Sequence, residues 1–432
     1  MVAVKRGLFI ILGAATAATT LGGWATSASA QAGKKAKVVK AASKGHKGST
    51  SGTGTSTGTS GTGTSTGTGT TGTGTSTGTS GTGTTTGTSG SGTGTSTGTS
   101  GTGTTTGTSG SGTGTGTGTT GTGTGTSTLV QYFPVAAVWT QDVSAAVVDP
   151  NSAAMINQLA SQGGWGLGSM KVDESIRVMQ ANSSTPMVPF QPGSPFYTPD
   201  SDNISSVPLP AGGGMEGQTG YQCDTSQYDC HFIVVDNGAG KLYEAYGANY
   251  NGSAVTANFI GVWDLNVVYP ATGRGEQCTS ADAAGFPIAP LLFNADELKS
   301  GQINHAIRFI LPNNEMRAGF YVHPATHAGA PSGPSNAIPY GAHLRLKASY
   351  DISALKPAAQ VVAKAMQKYG MFLADGGSIA LTAQSDQDTQ TKYTDVDFGT
   401  QDLSSLKVTD FEVVTMPTPI PKTNNCVRNN IP

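Results

Sequence analysis

Four of the histidines fall between positions 305 and 343, where imidazole chemistry near neutral pH is possible. His305 begins a strand-like run, and an imidazole at a cleft rim can act as a general base. Hydrogen bonding of His305 to a loop carbonyl is the alternative. His323 and His327 have the i, i+4 spacing of a zinc helix, but Pro324 and the missing glutamate break the HExxH pattern. A metal site on a bent loop and a coincidental pair of polar residues both stay open.

Three carboxyl groups are candidates for general acid–base catalysis. Glu244 shares one strand face with Leu242 and Tyr246, because side chains alternate along a strand. On a core-facing side its pKa would rise, which suits proton donation, whereas on the outer face it would be a solvated charge. Asp264 and Asp282 are candidates for a carboxylate pair of the glycosidase type. Asp282 could instead cap a short helical turn.

A basic strand residue and a tyrosine-rich composition suggest a sugar ligand. Arg345 lies on a predicted strand and could clamp an acidic sugar. All 13 tyrosines fall between residues 129 and 432, and their rings suit stacking on sugars. No cofactor motif is evident, and we expect no cofactor. The predicted catalytic residues are His305, Asp282 and Glu244, and the predicted substrate-binding residues are Arg345, Tyr246, Asp264 and His231.

The four cysteines all lie in this same C-terminal region. Their even number, in a chain predicted to be exported, suggests two disulfides. Three pairings are possible. We favour Cys223 with Cys230, which are close enough to close one loop, and Cys278 with Cys426 at the C-terminal tail. A zinc site is disfavoured because no CxxC pair occurs.

The elements that must position these residues are mostly strands. Residues 231–236 and 241–246 flank a turn and predict a β-hairpin. Helices are predicted over 152–161, from Asn294 with its capping-box Glu297, and over 357–369. Many short strands with few helices predict a single mainly-β domain over 129–432, of the β-sandwich or jelly-roll type.

The N-terminal end carries an export signal. Lys5 and Arg6 precede an apolar run over 7–21 and a small-residue cleavage site at 28–30, so residues 1–30 are a predicted signal peptide. An uncleaved anchor is the alternative, although the run is scarcely long enough to span a bilayer. We therefore expect a secreted or cell-surface protein with no transmembrane span after cleavage.

Charge is distributed unevenly along the chain. Residues 31–47 form a lysine-rich segment that could bind anionic polymers or merely aid solubility. Residues 129–432 contain 16 basic and 26 acidic residues, a formal net charge near −10. Such a domain would repel phosphates, so we expect no nucleic-acid partner for it. A polysaccharide or another cell-envelope polymer is the predicted partner.

Residues 48–128 contain only glycine, serine and threonine. With no apolar surface to bury, this tract cannot offset the entropy of ordering, and composition predicts a disordered linker. The tract also repeats itself, since residues 81–90 recur identically at 101–110. We expect it to act as a flexible stalk.

Several motifs of the domain resemble those of a known family. They are TSADAAGxPI at 279–288, HAIRF at 305–309, LRLKAS at 344–349 and YGM at 369–371. Together they resemble a family of secreted bacterial proteins of unassigned activity, over roughly residues 133–415. The resemblance implies export and a single domain, and it supplies no mechanism. The sequence departs from the family pattern at His323, Thr326 and Gly376, where the resemblance leads us to expect tryptophan, arginine and asparagine.

Two hypotheses of function follow from the sequence. The first is a hydrolase or lyase that acts on extracellular polysaccharide, and the second is a non-catalytic binding or adhesion module on a stalk. Convergence of His305, His327, Asp282, Glu244 and Arg345 in one cleft would favour the enzyme. Scattered positions would favour the binding module.

Overall fold

The computed structural model describes residues 132–429 and seven short strands between residues 51 and 117. The chain divides between Thr128 and Leu129 into two compact units. The predicted signal peptide at 1–30 and the lysine-rich segment at 31–47 lie outside the described residues.

The described strands of the N-terminal unit follow the sequence repeat. They are β1 (Ser51–Gly58), β2 (Gly61–Gly67), β3 (Thr71–Gly78), β4 (Gly81–Gly87), β5 (Ser91–Gly98), β6 (Gly101–Gly107) and β7 (Thr113–Thr117). The odd-numbered strands form one sheet and the even-numbered strands a second. All pairings are parallel, and partners lie twenty residues apart, as Ser51 and Thr71 do. Each twenty-residue repeat therefore supplies one strand to each sheet.

These strands differ from the disordered linker that the composition predicts, and the difference has a physical reason. The composition argument considers only apolar burial. Identical repeats add a second favourable contribution, which is hydrogen bonding, because each strand can pair its backbone donors and acceptors with the next copy in register. Threonine is β-branched and favours extended backbone, which partly opposes the cost of ordering glycine.

Three α-helices lie within residues 132–429, and the sequence predicts all three. They are α1 (Ser152–Ser161), α2 (Ala295–Ser300) and α3 (Pro357–Lys368). The capping box of α2 is present, since Asn294 accepts a hydrogen bond from the Glu297 backbone while the Glu297 side chain accepts one from the Asn294 backbone. Gly301 ends α2 with a φ of 81°, a conformation that glycine adopts without strain.

The strands of the same residues outnumber the helices, as predicted. They are β8 (Val172–Ile176), β9 (Met179–Ala181), β10 (Met187–Pro192), β11 (Ser206–Pro208), β12 (Phe232–Asp236), β13 (Lys241–Tyr246), β14 (Asn249–Tyr250), β15 (Val255–Ala257), β16 (Phe259–Asp264), β17 (Gly275–Glu276), β18 (Ile307–Leu311), β19 (Met316–Tyr321), β20 (Ile338–Tyr340), β21 (His343–Leu346), β22 (Met371–Gly376), β23 (Leu381–Gln384), β24 (Phe411–Val413), β25 (Ile420–Pro421) and β26 (Val427–Arg428). The predicted hairpin is β12 with β13, in antiparallel register from Phe232 opposite Ala245.

Two stacked sheets make the domain sandwich-like. The central sheet has the order β16-β13-β12-β9, and the outer sheet has the order β11-β10-β15-β14. Along β12, Phe232 and Val234 pack into the smaller core toward the outer sheet, while Ile233 and Val235 pack into the larger core on the opposite side. Burial on both faces explains why β12 is a continuous apolar run rather than an alternating one.

The larger core is completed by a six-stranded sheet of order β24-β21-β22-β18-β23-β8. Helix α1 packs against β24, and α3 packs against β21. The pairs β18 with β22 and β8 with β23 are parallel. Parallel pairs and covering helices distinguish this mainly-β domain from a jelly roll, whose strands are antiparallel. Smaller sheets join β17 with β26, and β19 with β20 and β25.

Both predicted disulfides are confirmed. Cys223 is bonded to Cys230, seven residues away, and Cys278 is bonded to Cys426, 148 residues away. The second disulfide joins the C-terminal tail to the segment that follows β17. Within the described residues, no helix is both long and apolar enough to cross a bilayer.

The two disulfides differ in loop length and should differ in the stability that they confer. Paired replacement of Cys278 and Cys426 by alanine should lower the free energy of unfolding by about 5 kcal/mol, because a long loop is released in the unfolded chain. Paired replacement of Cys223 and Cys230 is the matched control, with an expected loss of about 2.5 kcal/mol. Urea unfolding followed by tryptophan fluorescence measures both losses. Equal losses would contradict this account.

Candidate functional site

His305 is bound by internal partners at both ring nitrogens. Nδ1 lies 2.8 Å from the carbonyl oxygen of Ala306, and Nε2 lies 3.1 Å from Oε1 of Glu297. Burial lowers the pKa of His305, but the Glu297 carboxylate outweighs that effect and leaves the pKa raised. His305 therefore ties α2 to the start of β18, and it has no free nitrogen with which to act as a general base.

Arg345 and Asp264 are also occupied. The Arg345 guanidinium donates to Oε1 of Glu412 through Nε at 2.9 Å, and through Nη1 it donates to the carbonyl oxygens of Ser144 and Ala146, both at 3.0 Å. Asp264 binds the ammonium of Lys241 at 2.7 Å. Arg345 thus secures the β21–β24 edge of the six-stranded sheet, and Asp264 forms no pair with Asp282.

The two histidines proposed as metal ligands bind different partners. Nε2 of His323 lies 2.9 Å from Oε2 of Glu276, whereas Nδ1 of His327 lies 2.9 Å from the carbonyl oxygen of Ala283. Burial lowers the pKa of His327. In the described part of the chain, the one grouping of three potential ligands joins Asp200 to the Cys278–Cys426 sulfurs, which are already in a disulfide. The geometry gives no support to a His323–His327 metal site.

Glu244 is buried, so the core-facing alternative is confirmed and the solvated alternative is wrong. Its Oε1 accepts hydrogen bonds from the backbone of Ile288 and Ala289 at 2.8 and 2.9 Å, and its Oε2 accepts one from the indole of Trp263 at 3.1 Å. Burial raises the pKa of Glu244 to about 7 in spite of these donors. Glu244 anchors the 279–288 motif to the central sheet.

Asp282 lies in a buried polar cluster with Arg308, Asp375 and Thr382. Its Oδ1 accepts a hydrogen bond from Nη2 of Arg308 at 3.0 Å, so the carboxylate binds this arginine and does not cap a helical turn. Nη1 of Arg308 donates to the Thr382 hydroxyl at 2.7 Å, and Nη2 lies 3.6 Å from Oδ2 of Asp375. Burial raises the pKa of Asp282 to about 7, against the opposing charge of Arg308.

An irregularity in the sheet brings Asp375 to the same face as Arg308. Strands β18 and β22 pair in parallel, with Phe309 opposite Leu373 but Ile310 opposite Asp375. Side chains two apart on a strand share a face, so Arg308 and Ile310 face the same side. The extra residue at this bulge therefore turns Asp375 to that side as well.

His231 forms a second buried ion pair beside this cluster. Nδ1 lies 2.6 Å from Oε2 of Glu216, and Nε2 lies 3.1 Å from the carbonyl oxygen of Ala281. Both partners act only as acceptors, which requires a proton on each nitrogen. Burial lowers the pKa of His231, but Glu216 outweighs it and raises the pKa to about 9. His231 is therefore an imidazolium at neutral pH.

Four side chains form a partly exposed surface above these buried pairs, which we call the rim: Tyr197, Tyr246, Asp229 and Asp375. The two tyrosine rings stack with centroids 6.5 Å apart and an interplanar angle of 21°. The Tyr246 ring lies 5.7 Å from that of His231, and Asp375 is 29% exposed. Burial, followed by the charges of neighbours that include Asp229 and Asp375, raises the pKa of Tyr246 to about 12.

The structure thus brings together only some of the predicted residues. Asp282, His231 and Tyr246 meet at or beneath the rim, whereas His305, Arg345, Asp264 and His323 are each bound elsewhere. Sequence reasoning missed Glu216, Asp375 and Tyr197 as site residues. A signal existed for Asp375, which follows the YGM motif, and for Asp229, which stands two residues before His231.

Comparison with family models, curated proteins and solved structures finds no match to this chain. The resemblance to a secreted bacterial family therefore stays a prediction.

The His231–Glu216 pair should make stability depend on pH. The folded state holds the imidazolium proton to about pH 9, whereas the unfolded chain releases it near pH 6.5. The contribution is full below the unfolded pKa and is lost as the pH rises through the folded one. Between about pH 7.5 and pH 9.5 the free energy of unfolding should fall by about 2 kcal/mol.

Urea unfolding across this pH range measures the fall. The range starts at about pH 7.5 because Asp282 and Glu244, whose pKa values are raised to about 7, are then mostly ionised already. His231→Gln should be less stable than the parent at the lower pH and should show a much smaller fall. His327→Gln is the control and should keep the parent slope. A parent slope retained in His231→Gln would refute the assignment.

Asp282 should matter more for stability than Asp375, although both contact the same guanidinium. Asp282→Ala leaves the buried Arg308 without its closest carboxylate, and we expect a loss of about 3–5 kcal/mol. Asp375→Ala removes a partly exposed and more distant partner, with an expected loss below about 1 kcal/mol. Chemical denaturation of the two variants measures the difference. Similar losses would show that the two carboxylates are equivalent.

Proposed function

We propose that residues 132–429 form a non-catalytic binding module for an extracellular polysaccharide or another cell-envelope polymer, with the rim as its binding surface. The first support is the state of the predicted catalytic residues. His305 and Glu244 are bound by internal partners, and Asp282 is wholly buried beneath the rim. The positions are scattered, which by the criterion set from the sequence favours a binding module over an enzyme.

The observation that carries the proposal is the stacked pair of Tyr197 and Tyr246 beside Asp375. Tyrosine rings offer a flat apolar face to the C–H side of a sugar. Carboxylates accept charge-assisted hydrogen bonds from sugar hydroxyls, which fixes the orientation of the ring. A surface that combines both groups suits a carbohydrate chain.

The His231–Glu216 pair beneath the rim supports this function, because it holds Tyr246 in place. His231 and Glu216 are joined at 2.6 Å, and Tyr246 packs against the His231 ring. A surface whose side chains are held in place before binding loses less conformational entropy when a ligand arrives. The two disulfides are consistent with an extracellular protein, and the repeat unit would act as the spacer that carries the module.

One observation favours a polysaccharide hydrolase as the second candidate. Oδ1 of Asp282 and Oδ2 of Asp375 contact the same Arg308 nitrogen at 3.0 and 3.6 Å, so they lie at most 6.6 Å apart. Glycosidases use two carboxyl groups at such distances, one with a raised pKa. Burial raises the pKa of Asp282 to about 7. The complete burial of Asp282 weighs against this candidate, because a catalytic acid must reach its substrate.

Sedimentation with insoluble cellulose, chitin, chitosan and peptidoglycan tests the proposal. Binding to at least one polymer should weaken about tenfold or more in Tyr246→Ala, since loss of one stacked ring costs about 1.4 kcal/mol or more. Tyr350→Ala is the matched control, because Tyr350 also packs partly buried against the larger core. Binding to none of the polymers, or unchanged binding by Tyr246→Ala, would contradict the proposal.

An assay for reducing sugar ends on the same polymers separates the two candidates. The binding module should release none above a blank without protein. Steady release that Asp375→Asn abolishes would instead support the hydrolase.

A further inference from the structure

The charge that the rim presents to a ligand is negative. Asp229 is exposed and Asp375 is partly exposed, whereas the cations nearest to them are buried. His231 donates both of its N–H groups, one to the Glu216 carboxylate and one to the carbonyl oxygen of Ala281. Arg308 is 3% exposed and is shared by Asp282, Asp375 and Thr382. A ligand therefore meets carboxylates before it meets either cation.

The side of the rim near His327 adds one cation and one more carboxylate. Lys422 donates to the carbonyl oxygen of Gly329 at 3.0 Å, and burial lowers its pKa. The charges of Lys422, Asp200 and Asp375 all act on His327. Since burial also lowers the pKa of His327, this histidine adds no positive charge at neutral pH. Asp200 is accompanied by Arg428, which donates to its carbonyl oxygen and pairs with Asp202, so the unbalanced negative charge of this surface lies on Asp229 and Asp375.

A second observation marks the same place. Oδ2 of Asp282 is fully buried and has no hydrogen-bond partner among the described residues. Oδ1 of Asp282 shares the Arg308 nitrogen with Oδ2 of Asp375, so the carboxylate that carries this unpaired acceptor lies next to the rim carboxylate. A buried oxygen without a donor costs free energy, and added positive charge at Asp375 would stabilise it electrostatically.

From these contacts we infer that the rim selects polysaccharides whose sugars carry free amino groups. The inference rests on the proposed function and names its ligand class. An ammonium group offers three N–H donors and a positive charge, which matches a surface of carboxylates. A uronic acid polymer would bring its own carboxylates against Asp229 and Asp375 and would be repelled.

This reverses the ligand charge expected from Arg345. As a free strand residue Arg345 could clamp an acidic sugar, but Glu412 and the backbone carbonyls of Ser144 and Ala146 occupy its guanidinium. No other described arginine or lysine contacts a rim carboxylate except the buried Arg308. The preferred sugar is therefore cationic, not anionic.

Calorimetric titration with a glucosamine hexamer and with its fully N-acetylated counterpart tests the inference, since the two ligands differ only in the amino group. The free-amine hexamer should bind about tenfold tighter or more, and the difference should shrink as salt is raised. Polygalacturonate should not bind. Asp375→Asn should remove the preference, and Asp375→Glu should retain most of it.

Asp264→Asn is the control for general attraction to an acidic domain. It removes the same charge from β16, where Asp264 pairs with Lys241 at the start of β13, about 17 Å along the sheet from Tyr246 at the end of that strand. Equal losses in Asp264→Asn and Asp375→Asn would overturn the inference, and so would failure of the free-amine hexamer to bind. Equal affinity for both hexamers, lost in Tyr246→Ala, would overturn the inference and leave the proposed function standing.

Discussion

The buried guanidinium of Arg308 is the group on which the arrangement around the rim depends. It reaches Asp282 in the 279–288 motif, Thr382 on β23 and Asp375 on β22, while its own backbone lies in β18. Taking such a charge out of water costs several kcal/mol, and only well-placed partners offset that cost. Because Arg308 needs these partners, its contacts fix β18, β22, β23 and the 279–288 segment relative to one another.

A second buried ion pair, His231 with Glu216, has a similar role at the central sheet. His231 stands just before β12 and reaches across to Glu216 and to the carbonyl oxygen of Ala281, in the same 279–288 motif. Glu244 on β13 binds the backbone at the end of that motif. The motif thus lies between two sheets and is bound by polar groups from both. Residues 279–285 of the motif are small, and a Cβ at Gly285 would lie 2.1 Å from Oγ1 of Thr326.

The sequence predicted the elements better than it predicted the site. Hairpin periodicity, the capping box at Asn294 and the proline at the start of α3 are local signals, and all three elements are confirmed. Chain proximity predicted the Cys223–Cys230 pair, and Cys278–Cys426 followed as the pair that remained. Asp375 could not be found in this way, because a single-residue bulge decides which face it occupies. Likewise, the partners of His305 and Arg345 depend on long-range packing that no local pattern encodes.

The strict spacing of strands β1 to β7 has a consequence for how this unit can vary in length. Because every paired residue lies twenty positions from its partner, gain or loss of one whole copy leaves all remaining pairs intact. Each added copy would extend both ladders by one rung, about 4.8 Å. Insertion of a single residue would instead place glycines opposite threonines across the junction. The number of copies can therefore change in whole repeats while the strands that remain keep their pairing.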